Sequence, residues 1–386
     1  MFDHEVIVVG GGAMGAATAW HLARDGHDVL LLEQFGARHS RGSSHGHTRI
    51  FRLAYRDPGY TSLALAALPW WRTLEDEAGV ALLDQCGQID HGAPTALAEI
   101  ERSLAGHDRP FERLSAADAE ARWPGLRTEG GAVLSPDGGF VLADGSVDAL
   151  LRMAAGHGAL IRTNQPVRAI EPIGVADDDG VRVVTDGGTF TAPIVVVAAG
   201  AWAEGLLEGP SGPLARGTLP PLVVTLAVPS HFAPRPGDPG DDRPWPSVVH
   251  HRSGDDPLAF GAYAVWAPGV GMKVGLEDVD RPVGPDHRPT EAPADAIVAL
   301  VDYVEEWFPG LDPTPLDPHT CLFTSTPDEH FVIDRVGPIV VVSPCSGHGF
   351  KFVPAIGRLA ADLATAPDPA AAHVPRRAEW RLPSGR

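Results

Sequence analysis

The stretch from Val6 to Glu33 constrains this chain more than any other. Val6-Ile7-Val8-Val9 is an unbroken apolar run, and Gly10-Gly11-Gly12-Ala13-Met14-Gly15 follows it directly. Ala16 to Arg24 then reads as a helix, and Val29 to Glu33 as a second buried strand closing on a carboxylate. Gly10 permits the tight turn, and Gly12 lets the backbone approach a pyrophosphate. Gly15, with Ala16 and Ala17, lets the helix lie close on the sheet. The helix N-terminus offers free N–H groups to the phosphates. Glu33 stands where a ribose hydroxyl needs an acceptor, and its charge repels a 2′-phosphate. The unit therefore predicts NAD or FAD rather than NADP.

The 386 residues suffice for two or more domains, each with its own core. A net charge of −20 argues against nucleic acid and anionic membrane as partners. No apolar run approaches a membrane span, Met1-Phe2-Asp3-His4-Glu5 does not read as a signal-peptide start, and three cysteines make no disulfide framework. A cytoplasmic protein is expected. Of 30 basic residues only Lys273 and Lys351 are lysine, which leaves 28 arginines. Solvated positions accept either base. A lysine that survives such a bias marks a place where a compact ammonium is needed and a planar guanidinium does not serve.

Residues 35–51 read as a loop rich in Gly, Ser, His and Arg, suited to an anionic ligand. His39, His45 and His47 lack a nearby acid or cysteine, so they do not form a metal-ligand set. Gly59 to Ala78 reads as a helix with Leu63, Leu68, Trp71 and Leu74 inward and Pro69 as a possible kink. Residues 84–140 show no clear pattern. Ser146 is placed as the cap of a helix through Ala155. Val181 to Thr185 and Thr189 to Ala192 form a hairpin, and Ile194 to Ala199 is a buried strand ending at Gly200. Leu222 to Val228 is a strand, six prolines mark the 229–246 loop, and Val248 to Glu277 alternates like sheet. Ala294 to Phe308 is an amphipathic helix. Ile339 to Val342 is a last buried strand that leads through Cys345-Ser346-Gly347-His348-Gly349 into a helix from Pro354 to Thr365. Nucleotide-binding segments thus recur at the start, middle and end. The expected fold is α/β: a Rossmann-like FAD-binding domain (1–83, 141–208 and 325–386) interleaved with a mixed-sheet α+β substrate domain (84–140 and 209–324).

Several motifs converge on one family. Besides Gly10 to Gly15 they are Gly42-Ser43-Ser44-His45-Gly46-His47-Thr48-Arg49-Ile50-Phe51-Arg52 and Gly271-Met272-Lys273-Val274-Gly275. Two more are Cys321-Leu322-Phe323-Thr324-Ser325-Thr326-Pro327-Asp328-Glu329-His330-Phe331 and Ser346-Gly347-His348-Gly349-Phe350-Lys351-Phe352. Over essentially its full length the chain resembles the monomeric sarcosine oxidase and N-methyltryptophan oxidase family, FAD-containing amine oxidases of the D-amino acid oxidase group. Both lysines fall inside these motifs.

The resemblance implies a role for each matching residue. Cys321 matches the cysteine joined to the flavin 8-methyl carbon through a thioether. Lys273 matches the lysine beside the flavin where oxygen reacts. Arg52 and Lys351 match the pair that binds the substrate carboxylate. His45, Thr48 and Arg49 match residues close to the flavin, and the charges of His45 and Arg49 are expected to polarise its ring. The Gly347 carbonyl faces the substrate amine. Met14, Ser43, Val167, Gly200 and Gly349 complete the expected cofactor contacts, with Gly10, Gly12, Gly15, Glu33 and Lys351. Three departures count against sarcosine itself as substrate. Glu277 replaces a family histidine, Phe323 a tyrosine beyond the attachment cysteine, and Phe260 a pocket tyrosine. A larger, apolar or additionally cationic substrate is the natural expectation.

The reaction this implies is oxidation of a secondary amine, an N-methyl amino acid, to an imine that water hydrolyses, with oxygen reduced to hydrogen peroxide. Covalent FAD, a small amine substrate, oxygen and a monomeric state follow from the same resemblance; no metal is implied. Three alternatives stand beside it: an oxidase of a cyclic or other amino acid, a non-catalytic nucleotide-binding protein with a decayed pocket, and an NAD-linked dehydrogenase. The retained lysines count against the second, and the interleaved order against the third.

Overall fold

The computed structural model describes residues 1–174, 179–235, 245–252, 261–277, 281–344, 346–366, 373–374 and 376–382. Phe260 and Cys345 lie outside the described residues, as do residues 236–244 of the proline-rich 229–246 stretch and most of the C-terminal tail.

The Val6–Val9 strand sits near the middle of a six-stranded sheet. In order across the sheet the strands are Val332–Val336, Ile339–Ser343, Ile194–Val197, Val6–Val9, Val29–Leu32 and Leu160–Arg162. All neighbours are parallel except the first two, which form a hairpin. Strands hidden on both faces need apolar residues at every position, which is why they read as continuous runs. One face is covered by the helices Ala13–Arg24, Ala143–Gly156 and Val353–Thr365. The last is buried along all but its final residue. It lies against Ala13–Arg24 because Gly357 has no Cβ: one built there would stand 2.6 Å from the Ala17 Cβ. The other face is covered by a three-stranded antiparallel sheet, Val167–Pro172, Val181–Thr185 and Gly188–Ala192, through Ile170, Val181, Val183 and Ala192.

A second sheet has seven strands, in order Ser230–Phe232, Gly271–Leu276, Ala262–Ala267, Ser247–His251, Gln88–Gly92, Ala132–Ser135 and Glu112–Leu114. Only the central pair, Ser247–His251 with Gln88–Gly92, is parallel. The helix Ala294–Trp307 packs Leu300, Tyr303 and Val304 into the core of this sheet with Met272 and Val274. The first sheet therefore draws on three separated stretches of chain and the second on two others. Among the described residues no helix is long and apolar enough to cross a membrane.

Local signals place most helices well. Pro58–Ala78 starts behind Asp57, whose side chain accepts from the Gly59 N–H, and stops at Gly79 in the left-handed conformation. Pro69 lies within it. Three expectations need correction. The supposed loop 35–51 ends in a strand, Thr48–Phe51, antiparallel to Gly139–Leu142, with Thr48 and Phe51 buried. Ser146 is not a cap. The helix begins at Ala143, and the Ser146 hydroxyl donates back to the Leu142 carbonyl one turn earlier. The first helix begins at Ala13, three residues before the apolar periodicity suggests, because the glycine turn itself supplies its first turn.

Candidate active site

A continuous cavity of about 1630 Å³ opens where the two sheets meet, running from the glycine turn to Lys351. At one end the backbone of residues 10–12 forms its wall. Gly10 has φ +105°, and a Cβ there would run into the Ala198 carbonyl; a Cβ on Gly15 would run into the Gly10 carbonyl. Both positions exclude side chains for the reasons the motif gives. Ser44 Oγ accepts from the Ala13 N–H at 3.0 Å, capping the helix from a distant loop. Glu33 is buried, and its carboxylate accepts from the Gly11 N–H at 2.7 Å and the Phe35 N–H at 2.8 Å. Burial alone would raise its pKa, but hydrogen bonds from His39, Phe35 and Gly11 outweigh it and hold the group below the usual range. Glu33 is therefore ionised and fixed beside the turn. Val167 and Gly200 line the same chamber. A side-chain-free cradle, a helix N-terminus and an ionised acceptor fit an FAD: the turn would hold its pyrophosphate and Glu33 its ribose.

Farther along, Lys273 projects from Gly271–Leu276 into the cavity wall, 3% exposed. Its Nζ donates to the Thr48 carbonyl at 2.5 Å. Burial, then the charge of Arg49, pushes its pKa well below the ordinary lysine value. The Arg49 guanidinium donates to the carbonyls of Ser43, Thr48 and His45 at 2.9, 2.9 and 2.7 Å, which pins the 43–48 loop. His45 is pulled down to about 3 by burial first, then by Arg49, Arg288, His319 and Lys273. At neutral pH it is uncharged. The expected second polarising cation is therefore absent at His45; burial first, and then the neighbouring charges, keep a proton off its ring. Cys321 is a buried free thiol heading the strand Cys321–Ser325. Ser43 Oγ donates to the Leu322 carbonyl at 2.6 Å and ties the loop to that strand.

Arg52 and Lys351 meet at Tyr55. The Arg52 guanidinium lies 4.1 Å from the Tyr55 ring centroid and Lys351 Nζ 5.5 Å from it. Both cations are buried, and Lys351 Nζ donates to the His348 carbonyl at 2.7 Å. Burial, and next the Arg52 charge, weakens the hold of Lys351 on its proton. Burial pushes the Tyr55 phenol up to about 12 against the pull of Arg52, so it remains neutral. Trp71, expected as packing, is buried and also donates its Nε1–H to the Lys351 carbonyl at 2.8 Å. Gly347 has φ +71°, and a Cβ there would strike the Phe323 ring, so the two residues adjoin.

The cavity thus brings together Gly10, Gly12, Met14, Glu33, Ser43, His45, Arg49, Arg52, Val167, Gly200, Lys273, Cys321, Phe323, Gly347, Gly349 and Lys351. Gly15, Thr48 and Glu277 are not in its wall. Gly15 serves helix packing, and Thr48 serves through its carbonyl. Glu277 sits half-buried past the end of the lysine strand, where its N–H donates to the Gly261 carbonyl. Tyr263 and His319 line the cavity without having been singled out. Tyr263 is held neutral by burial, its pKa raised to about 12. It is a phenol in the wall three residues beyond Phe260, and period-two alternation into Lys273 could have found it.

The family model for FAD dependent oxidoreductases matches residues 5–363. The chain belongs to this family. Among members of the family, a monomeric sarcosine oxidase from Streptomyces avermitilis is 35% identical over 396 residues, covering 97% of this chain and 97% of its own. An N-methyl-L-tryptophan oxidase from Yersinia pestis is 31% identical over 369 residues, covering 93% and 94%. Of solved structures, that of NikD, an unusual amino acid oxidase essential for nikkomycin biosynthesis, superposes with a TM-score of 0.79 at 29% identity, covering 94% of each chain. The fold class is that of the FAD oxidoreductases, α/β with a Rossmann-like cofactor sheet.

Proposed function

We propose that the chain is a flavoprotein oxidase of N-methyl amino acids. A secondary amine bearing a carboxylate is oxidised to the imine, water releases the aldehyde and the primary amine, and oxygen becomes hydrogen peroxide. The observation that carries this is the pairing of Arg52 and Lys351, both buried on one Tyr55 ring in the cavity that begins at the glycine turn. Two buried cations side by side favour an anion; Asp90, 3.9 Å from Arg52, supplies it in part, and a substrate carboxylate completes it. FAD, when bound, takes up the two electrons of C–N oxidation and passes them to oxygen.

The chain's own residues do the rest. Arg52 and Lys351 hold the carboxylate and thereby orient the C–N bond. Gly347, open on the substrate side and backed by Phe323, offers its carbonyl to the amine. Lys273 places a positive charge where oxygen acquires negative charge. Cys321 is the attachment thiol. Arg49 brings its guanidinium to that loop, and His45 acts there as a neutral ring. The proposed division of labour is a cofactor domain of 1–83, 141–208 and 325–386 and a substrate domain of 84–140 and 209–324. Low cysteine content and acidic charge support a cytoplasmic protein, and the self-contained site supports a monomer.

With Glu277 outside the cavity wall, the case for an additionally cationic substrate is withdrawn. The Phe323 ring supports an apolar one. The ring also leaves room for a second reading, oxidation within a cyclic amino acid, held by the same clamp. A substrate panel tests both. Peroxide release should require the carboxylate and should favour N-methyl amino acids with apolar side chains over sarcosine. Equal turnover of a matched amine lacking the carboxylate refutes the proposal.

A further inference from the structure

Beneath the Arg52 guanidinium lies a buried acid that this reaction does not use. Asp90 belongs to the strand Gln88–Gly92 and is wholly buried. It pairs in register with Val249, which lines the cavity, so both side chains leave the sheet on the cavity side. Gln88 and His251 share that side. Asp90 Oδ2 accepts from Gln88 Nε2 at 2.6 Å, and Asp90 Oδ1 accepts from His251 Nε2 at 2.8 Å. The same Oδ1 stands 3.9 Å from Arg52 Nη1. The guanidinium thus adjoins both a phenol ring and a hydrogen-bonded acid.

We propose that Asp90 sets the strength of the carboxylate clamp, acting on the substrate through Arg52. The proposal rests on the carboxylate-binding reading above. The Asp90 carboxylate stands at close range to Arg52 and offsets its charge in a region closed to water. The bound anion therefore meets a weaker positive field than the two cations alone would give. Such damping keeps a small acid exchangeable in a site where two bare cations would retain it. At 3.9 Å Asp90 acts on Arg52 by charge and not by a hydrogen bond, so a replacement of the same shape that keeps the hydrogen bonds to Gln88 and His251 loses only the charge. Gln88 has the means to adapt, because its Oε1 is buried without a partner. Turned over, its amide accepts from the amide that Asp90→Asn introduces, while His251 keeps its acceptor.

The test is calorimetric binding of acetate, and of acetamide as its neutral counterpart, to the flavin-loaded protein. Asp90→Asn should bind acetate more tightly, by a factor on the order of ten, as expected for removing a charge several ångströms away in a partly polar interior. Acetamide binding should not change. Asp90→Ser, small enough to admit a water between Gln88 and His251, should show the same selectivity and serves if the asparagine variant does not fold. Acetate affinity that is equal or weaker in the folded variants overturns the role of Asp90 and leaves the clamp standing. Acetate that fails to bind the wild type, or binds Arg52→Ala equally well, overturns the clamp and this inference with it.

Discussion

Replacing Lys273 with methionine should separate the two halves of the catalytic cycle. The side chain is 3% exposed, and its ammonium is held to the Thr48 carbonyl at 2.5 Å. A charge so fixed does not reorganise as oxygen takes up electrons. At a separation of about 4 Å and an effective dielectric constant of about 20, a unit charge contributes about 4 kcal/mol, an upper figure near a thousandfold in rate. Loss of a single preorganised donor at comparable sites costs roughly a hundred- to a thousandfold. Lys273→Met should therefore slow reoxidation by oxygen at least about a hundredfold, while anaerobic reduction by substrate stays nearly intact. Stopped-flow measurement of each half-reaction reads this directly. The pH dependence has a definite sign. Burial and Arg49 lower the Lys273 pKa, so the ammonium persists only below that lowered value. Reoxidation should fall as pH rises through it, well before 10.5, the ordinary value for lysine, and the methionine variant should lose this dependence. Unchanged reoxidation in Lys273→Met would falsify the assignment.

Three other outcomes follow from the site and the core. Arg52→Ala or Lys351→Ala leaves the substrate anion half a clamp, a loss of about 2–5 kcal/mol, so KM for carboxylate substrates should rise at least about thirtyfold in steady-state kinetics. Acid-precipitated wild type should stay yellow, and the pellet of Cys321→Ala should be colourless; a colourless wild-type pellet removes the covalent link. His21 is buried, with Nε2 donating to the Pro354 carbonyl at 2.8 Å, and burial drags its pKa from 6.5 to about 3. The unfolded chain takes up this proton first, so the stability present above pH 6.5 is lost as pH falls toward 3, by an upper figure of about 5 kcal/mol. His21→Gln should flatten Tm against pH over that window, and parallel curves would show that His21 does not contribute.

The two sheets differ sharply in how far the chain reveals them. Val6–Val9, Ile194–Val197 and Ile339–Ser343 are buried on both faces, so their apolar runs are unmistakable. Gln88–Gly92 is equally buried at all five positions, yet it reads Gln-Ile-Asp-His-Gly. Polar residues occupy the interior there because, beyond the Gln88–Asp90 hydrogen bond within the strand, partners come from far along the chain: His251 for Asp90, and Glu129, whose N–H donates to His91 Nδ1 at 3.4 Å. A window of neighbours contains none of those partners, so the strand looks like loop. Thr48–Phe51 is hidden for a related reason. Its partner is Gly139–Leu142, and glycine, serine, histidine and arginine crowd its approach. Glu277 shows the opposite failure. Four positions past Lys273 places it near the site in sequence, but the strand ends at Leu276 and Glu277 is not in the cavity wall.

The lysine count carried more than a local pattern could. Lys273 and Lys351 share one design. Each lines the cavity, each is almost fully buried, and each spends a donor on a backbone carbonyl, Thr48 or His348. Each has an arginine close enough to weaken its hold on a proton, Arg49 or Arg52. An ammonium has three donors on a single atom, so one can anchor it while the rest point at a ligand. A guanidinium spreads five donors over a plane, so it serves in the wall where several acceptors or an acid meet it, as at Arg49 and Arg52, and not where one carbonyl is the anchor. Arginine bias therefore reaches the surface and part of the buried wall, and stops at these two places. It stops because the cost of the wrong cation is highest where water is excluded and the anion to be met is not part of the chain.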